Sequence, residues 1–322
     1  MAKRVANSGE IVTVDTLVTS REETRAGFIK MAIEKNLMAS EYVAEARSLR
    51  FLAGKVDRPI KLIDLPDIRK GLLTASGLSE KSLKFLKDED KLNSIRELVE
   101  KFLEPAGAAF PDELVYRYLI HKGDALGGKA RNLAGTLGER RFLRTFISVL
   151  RLADIKYHLK VRKSGIWDHE PTSSLEVEKN FGALYWQKGG RNRILAMNVR
   201  VPLIKKNVDL VILNASPDEF SGKSNDLLAQ NTRYAAVGEL KGGIDPAGSD
   251  EHWKTANFAL NRIRSSFQSL GLNPPTFFIG AAIEKNMASE IVTQLNSRVL
   301  NRAANLTSDD QLTSICEWIM NL

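Results

Sequence analysis

The sequence predicts an α/β fold, a mixed sheet flanked by helices, preceded by an all-helical domain. Two observations predict it. Through the first third of the chain, apolar residues recur at helical spacing with charges between them. Beyond about residue 155 they alternate or form short apolar blocks, and helical stretches separate the later blocks. Composition bounds the class. With 322 residues, 43% hydrophobic and 27% charged, the chain can bury a sizeable core and does not have the composition of a disordered segment.

From Thr24 to His121 the pattern is helix after helix. Phe28, Met31 and Ala32, then Tyr42, Ala46 and Leu49, fall on helical faces. Ser79 is a candidate N-cap for a helix over Ser79–Leu86, and Asn93–Leu103 is amphipathic and ends before Pro105. Pro111 suits the first turn of the next helix, which turns Leu114, Tyr118 and Leu119 inward. Gly123-Asp124-Ala125-Leu126-Gly127-Gly128 breaks that pattern, and a long helix is expected over Lys129–Ala153 with Arg140, Arg141 and Arg144 on its exposed face. The domain boundary is therefore placed near residue 122, with a helical domain over 1–122 and an α/β domain over 123–322.

In the second domain, Lys156–Val161, Leu184–Gln187 and Arg193–Val201 alternate like strands, with Gly189-Gly190 as a turn. Val208–Leu213 and Tyr234–Lys241 are strand-like, a helix spans about Glu251–Leu270, and Thr276–Ala282 reads as a buried strand. Two C-terminal helices close the chain.

Several function classes are excluded early. No run approaches the roughly 20 apolar residues of a membrane span. The start, Met1 to Asn7, is basic but has no apolar core after it, so no secretory signal is expected. A single cysteine, Cys316, in an apolar stretch reads as a buried thiol in a reducing cytoplasm. The excess of 47 Lys and Arg over 39 acids gives a net charge of +8, which favours polyanionic partners.

The sharpest local pattern is Val237-Gly238-Glu239-Leu240-Lys241-Gly242-Gly243. Two apart on a strand, Glu239 and Lys241 leave the same face. A carboxylate that holds Mg²⁺ beside a lysine that offsets phosphate charge suits phosphodiester hydrolysis. One carboxylate is a poor Mg²⁺ site, and Asp209 supplies a second from within the apolar run Val208-Asp209-Leu210-Val211-Ile212, where an unpaired acid is costly. Acid-x-Lys triplets also arise by chance as exposed ion pairs. A rival of that kind, Asp154-Ile155-Lys156 with Asp124 upstream, sits at the expected end of a helix. Downstream, Asp245, Asp250, Glu251 and His252 crowd a loop before a helix. His252 is a candidate proton acceptor, while Asp250 or Glu251 can simply cap the helix. Scattered histidines and one remote cysteine argue against zinc. Gly123–Gly128 lacks the Gly-Lys-Ser/Thr ending of a nucleotide cradle and reads as a hinge.

With these residues in hand, the chain resembles the type II restriction endonucleases of the AvaI/BsoBI type, within the PD-(D/E)XK nuclease group. The resemblance runs from Arg25-Ala26-Gly27-Phe28-Ile29 to the C-terminal helix. It is densest at Phe102–Gly107, at Gly123–Gly128 with Arg131-Asn132, from Val201-Pro202-Leu203 through Asp209, and from Gly238 through Asn257. It implies a restriction-endonuclease-like core and a Mg²⁺-dependent homodimer that encircles double-stranded DNA. It also implies cleavage at the site CYCGRG to leave 5′ overhangs in a prokaryotic cytoplasm. A cognate DNA methyltransferase would act on the same site. The metal-binding acids fall on Asp209 and Glu239, the lysine on Lys241, and a histidine near the scissile phosphate and bases on His252. Lys81 and Asp245 fall where the family reads base edges; a lysine donates to guanine O6/N7 and an aspartate accepts from cytosine N4. Val208 stands where the broader group has proline, a residue without a role in metal chemistry. Two other readings stay open on the sequence: a DNA-binding regulator without catalysis, reading DNA through Ser79–Leu86, and a structure-selective DNA repair nuclease.

Overall fold

The computed structural model describes residues 12–161, 166–169, 181–220 and 224–322. The basic start over Met1 to Asn7 lies outside them. The chain forms two compact units, Ile29–Leu133 and a second made of Ala134–Leu322 with the chain up to Phe28. It passes between them inside two long helices, α2 (Arg21–Ala53) and α5 (Phe110–Leu152), so the boundary expected near residue 122 falls within α5. The short helix α1 (Val14–Leu17) and the first turns of α2 belong with the sheet unit.

The helix α5 corrects one expectation. Gly123–Gly128 is not a break or a hinge but part of a continuous helix of 43 residues. Each glycine costs the helix about 1 kcal/mol relative to alanine. Burial of Phe110, Leu114, Phe142 and Phe146 elsewhere along it contributes about 1.5–3 kcal/mol per side chain and outweighs that penalty. Pro111 occupies its first turn, as expected.

In the helical unit, α3 (Arg69–Ala75) and α4 (Asp88–Leu98) join the C-terminal part of α2 and the start of α5 around Leu49, Leu62, Leu72, Ile95, Leu103 and Leu114. The helix expected over Ser79–Leu86 is only a 3-10 turn over Ser82–Lys84. The residue at its N-cap is Lys81, without a side-chain cap, and Ser79 lies further back, its Oγ accepting from the Ser82 N–H at 3.1 Å. None of the three turn residues is fully buried and only Leu83 among them packs partly against the core, so little apolar burial rewards propagation of the helix.

The second unit is built on an eight-stranded sheet among the described residues. In chain order the strands are β1 (Tyr157–Val161), β2 (Trp167–His169), β3 (Phe181–Lys188), β4 (Arg191–Val201), β5 (Lys206–Leu213), β6 (Tyr234–Lys241), β7 (Thr276–Gly280) and β8 (Arg302–Asn305). Their spatial order is β2-β1-β3-β4-β5-β6-β7-β8. Pairing is antiparallel from β2 to β6 and parallel from β6 to β8. Gly189 and Gly190, both at positive φ, make the β3–β4 turn that the sequence places there. The strands β2 and β8 were not anticipated.

Helices cover both faces. The small helix α6 (Ser224–Leu228) precedes β6. On one face lie α7 (Ser249–Gln268) and α8 (Lys285–Asn296), with Trp253 edge-on to Phe278 and Tyr234 edge-on to Phe267. On the other lie the second half of α5 and α9 (Asp309–Met320), with Phe146 against Trp186 and Trp318 against Phe277. Cys316 is a fully buried free thiol on α9, as expected. At the parallel end of the sheet, buried Asn305 donates to the Leu17 carbonyl at 3.1 Å and to Thr19 Oγ at 3.2 Å. The Thr19 hydroxyl donates to the Ala281 carbonyl at 2.8 Å. These bonds fasten the α1 segment to the ends of β7 and β8. No helix among the described residues is long and apolar enough to cross a membrane.

Candidate active site

β5 and β6 part company at the acids. Their register runs from Leu213↔Tyr234 to Leu210↔Gly238 and stops there. β6 continues alongside β7 as far as Lys241↔Gly280. In the gap, the Asp209 carboxylate replaces backbone pairing: its Oδ2 accepts from the Leu240 N–H at 3.0 Å. An acid inside an apolar strand, costly by itself, thus gains a backbone donor and a cation. Lys241 Nζ lies 2.8 Å from Asp209 Oδ2 and 2.8 Å from Glu239 Oε2. Strand alternation puts Glu239 and Lys241 on one face, as the spacing predicts, and Asp209 joins them across the gap.

Glu239 is 3% exposed. Burial pushes its carboxyl up to about 7, the neighbouring Asp209 charge pushes the same way, and Lys241 pulls it back. For Lys241, burial disfavours the ammonium, but the charges of Glu239 and Asp209 and their hydrogen bonds outweigh it and raise its pKa. One lysine therefore holds a buried acid and a partly exposed one that repel each other.

The loop after β6 is shaped by glycines. A Cβ on Gly242 would stand 2.4 Å from the Ala134 carbonyl oxygen, and one on Gly138 would stand 2.8 Å from Gly242 Cα. Only glycines allow α5 to press this closely on the strand end. A Cβ on Gly243 would stand 2.3 Å from His252 Cε1, so the imidazole lies directly against the backbone two residues beyond Lys241. His252 sits in the first turn of α7.

The structure thus gathers Asp209, Glu239 and Lys241, with His252 alongside the next loop. Asp245, on the same loop, is exposed and uses Oδ1 to cap the turn Pro246–Gly248 through the Ala247 N–H at 3.0 Å. Asp250 pairs with Lys254 in the first turn of α7. Lys81 belongs to the helical unit, where it is exposed beside the Ser82–Lys84 turn. The rival triplet is a helix stop. Asp154 has φ +54, its N–H donates to the Arg151 carbonyl, and the Ile155 N–H donates to the Leu150 carbonyl, the pattern of a Schellman C-cap. Sequence reasoning did not find Gly138, nor the role of Gly242 and Gly243 in close packing. The Gly-Gly pair after Lys241 was the available signal.

The family model described as "Restriction endonuclease BsobI" matches residues 8–322. The chain belongs to the BsoBI restriction endonuclease family. Two type II restriction enzymes named AvaI, from Nostoc sp. and Anabaena variabilis, are each 46% identical to it over 308 residues, covering 96% of this chain and 97% of theirs. The type II restriction enzyme BsoBI of Geobacillus stearothermophilus is 47% identical over 313 residues, covering 96% of each chain. As a member of the BsoBI family the chain is an endonuclease, and the resemblance read from the sequence holds over nearly its whole length.

Proposed function

We propose that this protein is a type II restriction endonuclease that hydrolyses double-stranded DNA at a short palindromic site, with Asp209 and Glu239 holding Mg²⁺. The observation that carries the reading is the convergence of two carboxylates on one ammonium at the end of β6. Burial first, and then the Asp209 charge, raise the affinity of Glu239 for a proton, and a divalent cation on the two carboxylates would offset both. No group of three or more acids, histidines or cysteines suited to a metal occurs among the described residues. Two carboxylates fit Mg²⁺, which keeps several waters and takes further oxygens from a phosphate.

When bound, Mg²⁺ supplies Lewis-acid polarisation of the scissile phosphate. The chain's own groups do the rest. Lys241, kept protonated by its two acids, offsets charge on the attacked phosphate. His252, with its ring against Gly243, takes a proton from the attacking water. Asp209, tied to the Leu240 N–H, keeps its carboxylate in one orientation before substrate arrives. Lys81 and Asp245 are proposed to read guanine and cytosine edges. The family supports the site CYCGRG with 5′ overhangs, and a two-fold symmetric site suits a homodimer in which each subunit cuts one strand. The helical unit is proposed as the part that embraces DNA. A methyltransferase of the same specificity would protect the host, and the enzyme would work in the cytoplasm.

Purified protein with Mg²⁺ is expected to cut plasmid DNA into discrete fragments, and EDTA to abolish cutting. Sequencing the fragment ends fixes the site and the overhang. A footprint without strand breaks would favour the non-catalytic regulator, and preference for flaps or junctions the repair nuclease. Normal cutting by Glu239→Ala would remove the site assignment.

A further inference from the structure

Of all β5 residues, Asp209 alone has a register partner on neither side. Toward β6 the pairing ends at Leu210↔Gly238. Toward β4 the pairs Met197↔Leu210 and Val199↔Val208 bracket it, and the residue facing it, Asn198, drops out of the ladder. Asn198 has φ +53, the left-handed conformation, in the middle of a strand. Backbone strain of this kind persists where surrounding contacts impose it and is concentrated at functional sites.

The contact that holds Asn198 comes from α5. Asn198 Nδ2 donates to Glu139 Oε1 at 2.6 Å. Glu139 follows Gly138, whose close approach to Gly242 fixes that turn of α5 against the end of β6. A single helical turn therefore touches both strands that flank β5. On one side it seats the β6 end that carries Glu239 and Lys241. On the other, Glu139 grips the β4 residue opposite Asp209. Neither residue figures in the reaction scheme above.

We propose that Glu139 and Asn198 are positioning residues for the cation site: Glu139 fixes the Asn198 amide, and Asn198 keeps the β4–β5 ladder open so that the Asp209 carboxylate turns toward β6. This rests on the reading of Asp209 as a metal-holding carboxylate. The pair acts through Asp209 and does not touch the reacting atoms. Groups that orient a metal ligand from outside typically change metal affinity or activity by about 10–100-fold when removed.

Three variants separate this role from general stability. Glu139→Ala removes the acceptor. Asn198→Gly removes the amide that Glu139 holds, and glycine, which takes the left-handed backbone without strain, is as free to leave it, so nothing then keeps the ladder open. Glu139→Gln retains an amide oxygen in the acceptor position. Two quantities are read: the Mg²⁺ concentration for half-maximal cleavage, and the rise in melting temperature on adding a fixed Mg²⁺ concentration to DNA-free protein. Glu139→Ala and Asn198→Gly are expected to raise the Mg²⁺ requirement by about 10-fold or more, to shrink the Mg²⁺-induced shift, and to regain rate at high Mg²⁺. Glu139→Gln is expected to stay within a few-fold of wild type.

An unchanged Mg²⁺ requirement in Asn198→Gly overturns the proposal. So does equal damage from Glu139→Gln and Glu139→Ala, which would make the charge of Glu139, rather than its grip on Asn198, the active property. If Glu139→Ala melts too low to assay, Asn198→Gly alone decides. The control is Glu239→Ala. If it is inactive while Asn198→Gly behaves as wild type, only the positioning role fails; if it cuts normally, the underlying site reading fails first.

Discussion

Glu239 holds its proton far more tightly in the folded protein than a carboxyl does in an unfolded chain. Its pKa is pushed from 4.5 up to about 7, by burial and then by the charge of Asp209. Between those two values the native state keeps a proton that the unfolded chain has released, so this group's contribution to stability falls as pH rises through that window. Glu239→Gln, which never ionises, escapes that loss. Melting temperatures in EDTA are expected to show the variant gaining on wild type from pH 5 to pH 8, with the gain complete above about pH 7. A wild-type-minus-variant difference that is flat with pH would refute the assignment. The same proton competes with a cation for the carboxylate, so Mg²⁺ binding is expected to release it and cleavage to rise toward neutral pH.

At the scale of the elements, two adjacent glycines after β6 have different duties, and alanine separates them. At Gly242 the obstructing atom is a backbone carbonyl of α5, which cannot move without moving the helix. Gly242→Ala is expected to cost about 1–3 kcal/mol, the usual range for overpacking, and to lower the melting temperature by several degrees. At Gly243 the obstructing atoms belong to the His252 ring, a side chain free to swing aside. Gly243→Ala is expected to leave the melting temperature nearly unchanged and to lower the cleavage rate by about 10-fold or more, in line with proton-transfer catalysis. Equal melting losses in both variants would remove that distinction. The elements were legible where a period declared them: β6 spans the predicted Tyr234–Lys241, and α7 differs from prediction by two residues at each end. β2 and β8, of three and four residues, are too short to show a period. The helix α5 ran through glycines because burial elsewhere along it outweighed local propensity. Asp209, Glu239 and Lys241 were legible because strand alternation fixes their face. The Glu139–Asn198 contact joins residues 59 apart, and a left-handed asparagine in a strand leaves no mark in the sequence.

For the whole molecule, the net charge of +8 bears on DNA binding. Part of the cationic inventory is spent internally. Arg141 is tied to Asp309 and to the Thr307 carbonyl, Arg233 to Glu219, and Arg50 to Asp112. The surplus remains for phosphates, and each phosphate neutralised releases condensed counterions. The logarithm of affinity therefore falls with the logarithm of salt by about 0.9 per contact. A protein that engages duplex DNA through six or more phosphates loses roughly 10³–10⁵ in affinity between 50 and 200 mM salt. That loss is expected here, measured by fluorescence anisotropy on the Glu239→Ala protein in EDTA so that cleavage does not intervene. The slope is expected to be about the same on a duplex with the recognition site and on one without it, because base contacts add affinity but release few ions. A shallow slope of about 2 or less on both duplexes would mean that the basic surplus lies away from the DNA. A steep slope on the cognate duplex alone would mean that phosphates are engaged only after the site is recognised.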